Sequence, residues 1–398
     1  MKWIILLYII LNPLFFWVDC DQRNVQQLFY QLSSILVFCA GFYFPQKSLK
    51  FDKLNASIAT FVIAYILAWL LNMNGWFVAQ NVIFGFLVYI TIIKVFNKED
   101  IEFVFKGLGY LTAFCVIVLA FQMLGWDFRG TVIIRGLPLT AQESIFFQRS
   151  AMGMFFGHSL IALLLFSPIS LLLLLPIKAS LSTGAFLGVF SGIFFFYWFR
   201  KRLFFWIILG CLILSSFFII RNKSLMNEAK QGFQIRLPLW SIVIQDIVRN
   251  PIGHGLDSFA NPKDNYYRYY NYFKKGFYAS LRLVKKDKIL IGKEQFDQYY
   301  LEQAATNGGQ VEFIDHPHNE YISLAYEIGL QGLIILGFIY YFIWDRFKKS
   351  KRNALTCVCT GVLICMAMES LLQFPFHLAR VGYLLPIILG FFYISSED

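Results

Sequence analysis

Two histidines flank a proline immediately before a strongly apolar stretch, within residues 315–340. His316 and His318 stand on either side of Pro317, and the apolar content rises after His318. Proline is tolerated in the first turn of a helix, because the N–H that it lacks would have no partner there. We therefore expect a long helix to begin here, with His318 at its positive end where it leaves the membrane. Because histidine titrates near neutral pH, the imidazole of His318 is a candidate general base.

The residues around this histidine leave other roles open. His316 precedes a proline and is expected mainly as a turn residue that supports the site. Asp315, His316 and His318 all carry metal-ligating groups, but no further outer histidine has a clear ligand spacing, so we predict no metal. His318 itself has a simpler alternative role, as a polar residue at a helix start that meets only lipid headgroups.

The same stretch carries two glycines and two glutamates. Gly329 and Gly332 are three residues apart, on one face of the predicted helix, where another backbone could approach closely. Glu320 and Glu327 would lie near the outer end of that helix. An ionisable group at such a place is a candidate for function, and an ion pair with a neighbouring arginine remains equally open.

Cationic residues at helix ends and in surface loops are suited to bind a phosphate at headgroup depth. Arg236 belongs to an amphipathic helical pattern over residues 234–246, and Asn250-Pro251 is expected to end that helix. Arg149 ends a hydrophilic loop, and Lys178 precedes a later apolar run. Arginine binds phosphate through two parallel hydrogen bonds and stays charged. Together with His318, these cations would suit a lipid-linked diphosphate, whose phosphates lie at headgroup depth. Simple anchoring of the basic residues at the membrane edge is the alternative.

Composition identifies a polytopic membrane protein. The chain is 58% hydrophobic and 15% charged, with a mean hydropathy of +0.59, whereas soluble domains carry about 25% charged residues. Much of the net charge of +11 lies in short clusters between apolar runs, where lysine and arginine set topology, so we exclude nucleic acid as a partner. The seven cysteines show no spacing typical of a disulfide framework or of paired metal ligands.

Apolar runs predict an all-α fold with about twelve transmembrane helices. The predicted spans are 3–18, 28–44, 54–71, 76–96, 101–124, 149–166, 168–180, 184–199, 203–220, 318–344, 354–372 and 376–394. Basic residues concentrate in the loops that would be cytoplasmic if both termini were cytoplasmic. This orientation divides the chain into an N-terminal bundle at 1–220, a periplasmic loop subdomain at 221–317 and C-terminal helices at 318–398.

A signature in the histidine segment resembles that of the O-antigen ligase superfamily. It consists of His318-Asn319, nine residues, and then Gly329-x-x-Gly332. The superfamily also contains O-antigen polymerases and pilin O-oligosaccharyltransferases. Two further segments are similar to the family pattern: Arg236-Leu-Pro-Leu-Trp240 with Asn250-Pro-Ile-Gly253-His-Gly255 and Phe259, and Phe374-Pro-Phe-His-Leu378 with Gly390.

The resemblance implies a glycosyltransferase with a GT-C-like membrane fold. Such an enzyme passes a glycan from an undecaprenyl-diphosphate carrier to an acceptor hydroxyl, on the periplasmic side of the bacterial inner membrane. It inverts the anomeric centre and needs neither metal nor other cofactor. His318 would then be the base, and Arg236 would hold the donor diphosphate. We favour a ligase, with lipid A-core as acceptor, over a polymerase, whose acceptor is another carrier-linked glycan.

One family residue is missing from this chain. The family has a second arginine in an S-R-G-A-like stretch, but here that stretch reads Ser182-Thr183-Gly184-Ala185. Lys178 or Arg149 is expected to supply the charge instead. The alternative of another class is a lipid-glycan flippase or transporter, which we disfavour because the chain shows no pair of similar halves.

Overall fold

The computed structural model describes most of the chain, with gaps. The described residues are 1–14, 23–73, 75–123, 149–179, 182–200, 236–237, 239–256, 258–260, 317–372 and 382–397. They form α-helices and short 3-10 segments, and no strand occurs among them. The predicted all-α fold is confirmed for this part of the chain. Most of the predicted periplasmic segment 221–317 lies outside it, so the three-part division remains a prediction.

Thirteen helices can be numbered in chain order among the described residues. They are α1 (Lys2–Leu14), α2 (Arg23–Gly41), α3 (Lys53–Asn72), α4 (Trp76–Val95), α5 (Lys98–Met123), α6 (Arg149–Leu163), α7 (Leu174–Ala179), α8 (Thr183–Arg200), α9 (residues 239–249), α10 (Glu320–Glu327), α11 (Leu330–Lys349), α12 (Ala354–Glu369) and α13 (Leu384–Ser395). A 3-10 segment, Pro168–Leu173, leads directly into α7.

Four of these helices are long and apolar enough to cross a membrane: Lys53–Asn72, Val78–Val95, Lys98–Phe121 and Leu330–Lys349. Seven shorter apolar helices coincide with other predicted spans. The predicted span 203–220 lies outside the described residues. The chain is therefore a multi-pass membrane protein, and the number twelve stays a prediction.

One compact unit contains Met1–Val62, Ala79–Gly210 and Gly337–Asp398. At its centre α12 packs closely against α8. A Cβ atom built on Gly192 would lie 2.7 Å from the carbonyl oxygen of Gly361, so the two backbones nearly touch. Small residues at helix crossings allow this close approach in a membrane.

A charged cluster fixes the C-terminal end of the same unit. The Arg346 guanidinium donates to Asp52 Oδ2 at 2.6 Å and to Ser396 Oγ at 2.6 Å. It also lies 3.9 Å from the ring centroid of Tyr393. A single side chain therefore joins α11 to the end of α13 and to the residue just before α3.

The second compact unit contains Ile63–Val78 and Cys211–Leu336. In it α9 packs on α10 through a buried apolar cluster that comprises Leu239, Ile242, Val243, Ile247, Phe259, Ala325 and Tyr326. The members in α9 recur at the three- and four-residue spacing of one helical face. Helix α9 ends at residue 249, before Asn250-Pro251, as the sequence predicts.

The prediction of one continuous helix after His318 is wrong. The chain instead forms two helices, α10 and α11, separated by Ile328 and Gly329. Gly329 has a φ of +90°, which lies in the left-handed region and is incompatible with a continuing α-helix. Only α11 is long enough to cross the membrane.

Candidate functional site

A hydrogen bond joins the segment that carries His318 to helix α9. The indole Nε1 of Trp240 donates to the carbonyl oxygen of Pro317 at 2.7 Å. Pro317 is buried, and His318 is partly buried. Because the accepting carbonyl belongs to the peptide that links Pro317 to His318, the bond positions the backbone of the histidine directly.

The local conformation at His318 differs from the sequence prediction. Helix α10 begins at Glu320, and Asn319 is its N-cap, whose side chain accepts a hydrogen bond from the backbone N–H of Ile322 at 3.0 Å. Pro317 therefore precedes the helix and does not form part of its first turn. His318 has a φ of +52°, an uncommon left-handed conformation for a residue other than glycine. His318 therefore lies in a turn immediately before the helix.

Arg236 lies about one helical turn before Trp240, since residues 236, 237 and 239–249 are helical. Residues four apart in a helix share a face. Trp240, Val243 and Ile247 continue this face, and the last two belong to the cluster that packs on α10. Burial lowers the pKa of the partly buried Arg236 guanidinium, although arginine remains charged at neutral pH. Arg236 is therefore carried on the same side of α9 that contacts the His318 segment.

Two of the motif glycines shape the loop after α9. Gly253 and Gly255 have φ values of +103° and +97°. The loop that they form lies on the break between α10 and α11. The N–H of His254 donates to the carbonyl oxygen of Tyr326 at 2.8 Å, and the N–H of Gly255 donates to that of Glu327 at 2.9 Å. The loop therefore satisfies carbonyl groups at the end of α10 that no further helical turn could satisfy.

The glycines of the second motif have different roles. A Cβ atom on Gly329 would collide with the carbonyl oxygen of Ile252 and would lie 2.5 Å from that of Pro251. The predicted close approach of another backbone is therefore present at Gly329. At Gly332 the nearest atoms are instead side-chain atoms of Ile328 and Leu324, which belong to the preceding turns.

Glu320 and Glu327 are both buried on α10. Being seven residues apart, they lie on one face, and both are within electrostatic range of Tyr65 in α3. Ser323 lies between them along that face and is fully buried. Glu320 also occupies the first turn of α10, where the helix dipole favours a negative charge.

The remaining predicted residues belong to other parts of the chain. Lys178 is exposed near the end of α7, and Arg149 is the first residue of α6. Both belong to the first compact unit, whereas Arg236 and His318 belong to the second. His316 lies outside the described residues, as do the side chains of Arg149 and Thr183.

Sequence reasoning missed two groups of polar residues. One is His254, whose ring stacks on Tyr326 with centroids 4.2 Å apart and planes inclined by 10°. The other is a buried set formed by His158, Cys365 and Glu369 in the first unit. The sequence does carry a signal for this set, because a glutamate and a histidine inside apolar runs mark a functional candidate.

Residues 168–337 match a family model described as O-antigen ligase. A search of the curated proteins finds no significant match. The matched range contains Arg236, Trp240, His318 and the glycines of both motifs. These residues lie on segments of the second unit that contact one another. Arg149 lies before that range. This match supports the resemblance to the O-antigen ligase-like superfamily that the sequence motifs predict.

Proposed function

We propose that the protein transfers a glycan from undecaprenyl diphosphate to an acceptor hydroxyl, as an O-antigen ligase acting on lipid A-core. The observation that carries the proposal is the hydrogen bond from Trp240 to Pro317. It connects the helix that carries Arg236 to the turn that carries His318. Arg236 and His318 are far apart in the sequence, but they lie on two segments that are in direct contact.

The chemistry requires one base and one cation. His318 removes the proton of the acceptor hydroxyl as its oxygen attacks the anomeric carbon of the donor sugar. The bond from that carbon to the diphosphate oxygen breaks, and undecaprenyl diphosphate leaves with the bonding electron pair. Arg236 stabilises the negative charge that develops on the leaving diphosphate. A single displacement of this kind inverts the anomeric centre.

The surface of α9 supports a site at the level of the lipid headgroups. Leu237, Ile244 and Val248 are apolar and exposed, on the side of the helix opposite to the cluster that packs on α10. An apolar face of this kind suits a helix lying in the membrane interface. Arg236 would then lie at the depth where the diphosphate of a membrane-bound carrier is found.

The basic end of α11 supports the orientation that we propose. Arg346, Lys348 and Lys349 all lie in its last turn. Basic residues favour the cytoplasmic side, so the opposite end of α11, next to α10, would face the periplasm. We accordingly propose the bacterial inner membrane as the location, with both termini in the cytoplasm.

The test replaces His318 with asparagine, because asparagine tolerates the left-handed backbone conformation that His318 adopts. Cells that depend on the His318→Asn variant should lose the transferred glycan and accumulate the carrier-linked donor. The initial rate in isolated membranes should fall by about 10²–10⁴-fold, the contribution typical of a general base.

His254→Phe is the matched control. It retains a ring to stack on Tyr326, and the buried Nε2 atom that it removes has no hydrogen-bond partner. Its activity should stay close to that of the wild type. Normal transfer by His318→Asn, at equal amounts in the membrane, would contradict the proposal.

Deletion of the gene distinguishes a ligase from a polymerase. If cells without the protein carry a single repeat on lipid A-core, the protein is a polymerase of the same superfamily.

A further inference from the structure

Three metal-ligating side chains converge inside the first compact unit. They are His158 of α6 and Cys365 and Glu369 of α12, and their ligand atoms all lie within 4.8 Å of one another. His158 is 2% exposed, and Cys365 and Glu369 are fully buried. His158 Nε2 lies 2.7 Å from Glu369 Oε2, and Cys365 Sγ lies 3.5 Å from Glu369 Oε1.

The helices place these groups on facing surfaces. Cys365 and Glu369 are four residues apart, so both project from the same face of α12. Glycines line the other sides of the group. A Cβ atom on Gly188 would lie 3.0 Å from Cys365 Sγ, and one on Gly157 would lie 3.6 Å from Glu369 Oε1. Larger residues at either glycine would fill the space next to the three ligand groups.

The polar groups are incompletely satisfied by one another. The Nδ1 atom of His158 is buried and has no hydrogen-bond partner. A buried carboxylate is costly unless a cation balances it. A divalent cation bound by one thiolate, one carboxylate and a neutral imidazole forms a site with no net charge, which suits a membrane interior.

We propose that His158, Cys365 and Glu369 bind a zinc ion. Sulfur, nitrogen and carboxylate oxygen together are the ligand set of zinc, which prefers a tetrahedral arrangement. Tetrahedral zinc holds such atoms roughly 3.2–3.8 Å apart. The observed distances of 2.7 Å and 3.5 Å and the limit of 4.8 Å therefore require side-chain movements of about 1 Å or less. The ion joins α6 to α12 and takes no part in glycan transfer.

Metal analysis of the purified full-length protein tests this site. The protein is prepared in detergent with an affinity tag that lacks histidine, incubated with zinc and passed through a desalting column. The wild type should retain about one zinc ion per chain, and Cys365→Ser and Glu369→Gln should each retain at least about tenfold less. Cys359→Ser is the matched control, because Cys359 is also buried in α12 but lies outside the three-residue group.

Cobalt provides a second measurement that needs no variant of the ligands. Cobalt added to the metal-free wild type should give the near-ultraviolet charge-transfer absorption of a thiolate bound to cobalt. The Cys359→Ser protein should give the same absorption. The proposal is overturned if the wild type binds neither metal, or if Cys365→Ser and Glu369→Gln bind as much zinc as the wild type. Either result would leave the proposed glycan transfer untouched.

Discussion

Trp240 and Pro317 are separated by 77 positions in the sequence but joined by a hydrogen bond of 2.7 Å. The bond links the side chain of a residue in α9 to the backbone of a turn. Both partners flank residues for which we propose a role: Arg236 lies one turn before Trp240, and His318 directly follows Pro317. We therefore propose that Trp240 is a positioning residue, whose indole N–H joins the two segments.

Replacing Trp240 with phenylalanine should keep an aromatic ring but leave the carbonyl group of Pro317 without its donor. An unsatisfied buried carbonyl costs about 1–3 kcal/mol. We expect the rate of transfer at saturating donor to fall about tenfold, which corresponds to about 1.4 kcal/mol. The KM for donor should change little, because the cation is retained. Unchanged kinetics in a membrane assay would show that the hydrogen bond does not position His318.

Replacing Arg236 with glutamine should weaken binding of the donor diphosphate. An arginine that binds phosphate with two hydrogen bonds makes a strong charge-assisted contact. We expect kcat/KM for the lipid-linked donor to fall about 10–100-fold, on the assumption that about 1.5–3 kcal/mol is lost. Initial rates at varied donor concentration measure this change.

Arg249→Gln is the matched control for Arg236. Arg249 lies at the end of the same helix, and its side chain is 78% exposed. Its loss should leave kcat/KM within about twofold of the wild type, since exposed surface ion pairs contribute little. Equal effects of the two substitutions would indicate a general attraction of the helix to lipid and no specific contact from Arg236.

Replacing Gly329 with alanine should destabilise the second unit. The residue has a φ of +90°, and the added Cβ would collide with the carbonyl oxygen of Ile252. Backbone strain of this kind costs about 1–3 kcal/mol. The melting temperature in detergent should fall, and transfer should fall with it.

Gly337→Ala provides the opposite case in helix α11. A Cβ at Gly337 meets nothing within 4 Å. Alanine in a helix interior is favoured over glycine by about 0.5–1 kcal/mol, so the melting temperature should stay the same or rise slightly. A fall as large as that of Gly329→Ala would contradict the role that we give to the helix break.

Replacing Arg346 with methionine should loosen the C-terminal cluster. The change removes the contacts to Asp52, Ser396 and Tyr393 while keeping most of the apolar stem. We expect a loss of about 1–3 kcal/mol in stability, because the partners are partly buried and lose a charged donor. Lys349→Met is the comparison, since the exposed pair of Lys349 with Asp345 should contribute little to stability. Thermal unfolding of the two variants in detergent measures the difference.

Hydropathy predicted most of the helices correctly, because each apolar run must satisfy its backbone groups internally within the membrane. The sequence also predicted the end of α9 at Asn250-Pro251 and the backbone contact at Gly329. It failed at the break between α10 and α11, where no proline marks the interruption. The break depends on a loop more than seventy positions earlier, which no local pattern around Gly329 reveals.

The candidate site was predictable only in part. His318, Arg236 and Trp240 could be identified from their motifs. The structure explains why asparagine suits position 319, because its side chain caps the N-terminus of α10. The contact of Trp240 with Pro317 could not be predicted, because it depends on how two distant segments pack. The set of His158, Cys365 and Glu369 was missed for the same reason, since no spacing along the chain places α6 against α12.

The docking of the loop on the helix break also determines how the protein can vary. Many of the contacts there are made by peptide groups and by glycines that lack side chains, while Ile252 is 71% exposed. In a complete substitution scan of this loop, tolerance to replacement should therefore increase with the size of the original residue. The smallest residues should tolerate almost no replacement, and a large apolar one should accept many. The exposed apolar residue can thus change to suit a different lipid environment, while the backbone contacts between the loop and the helix break stay the same.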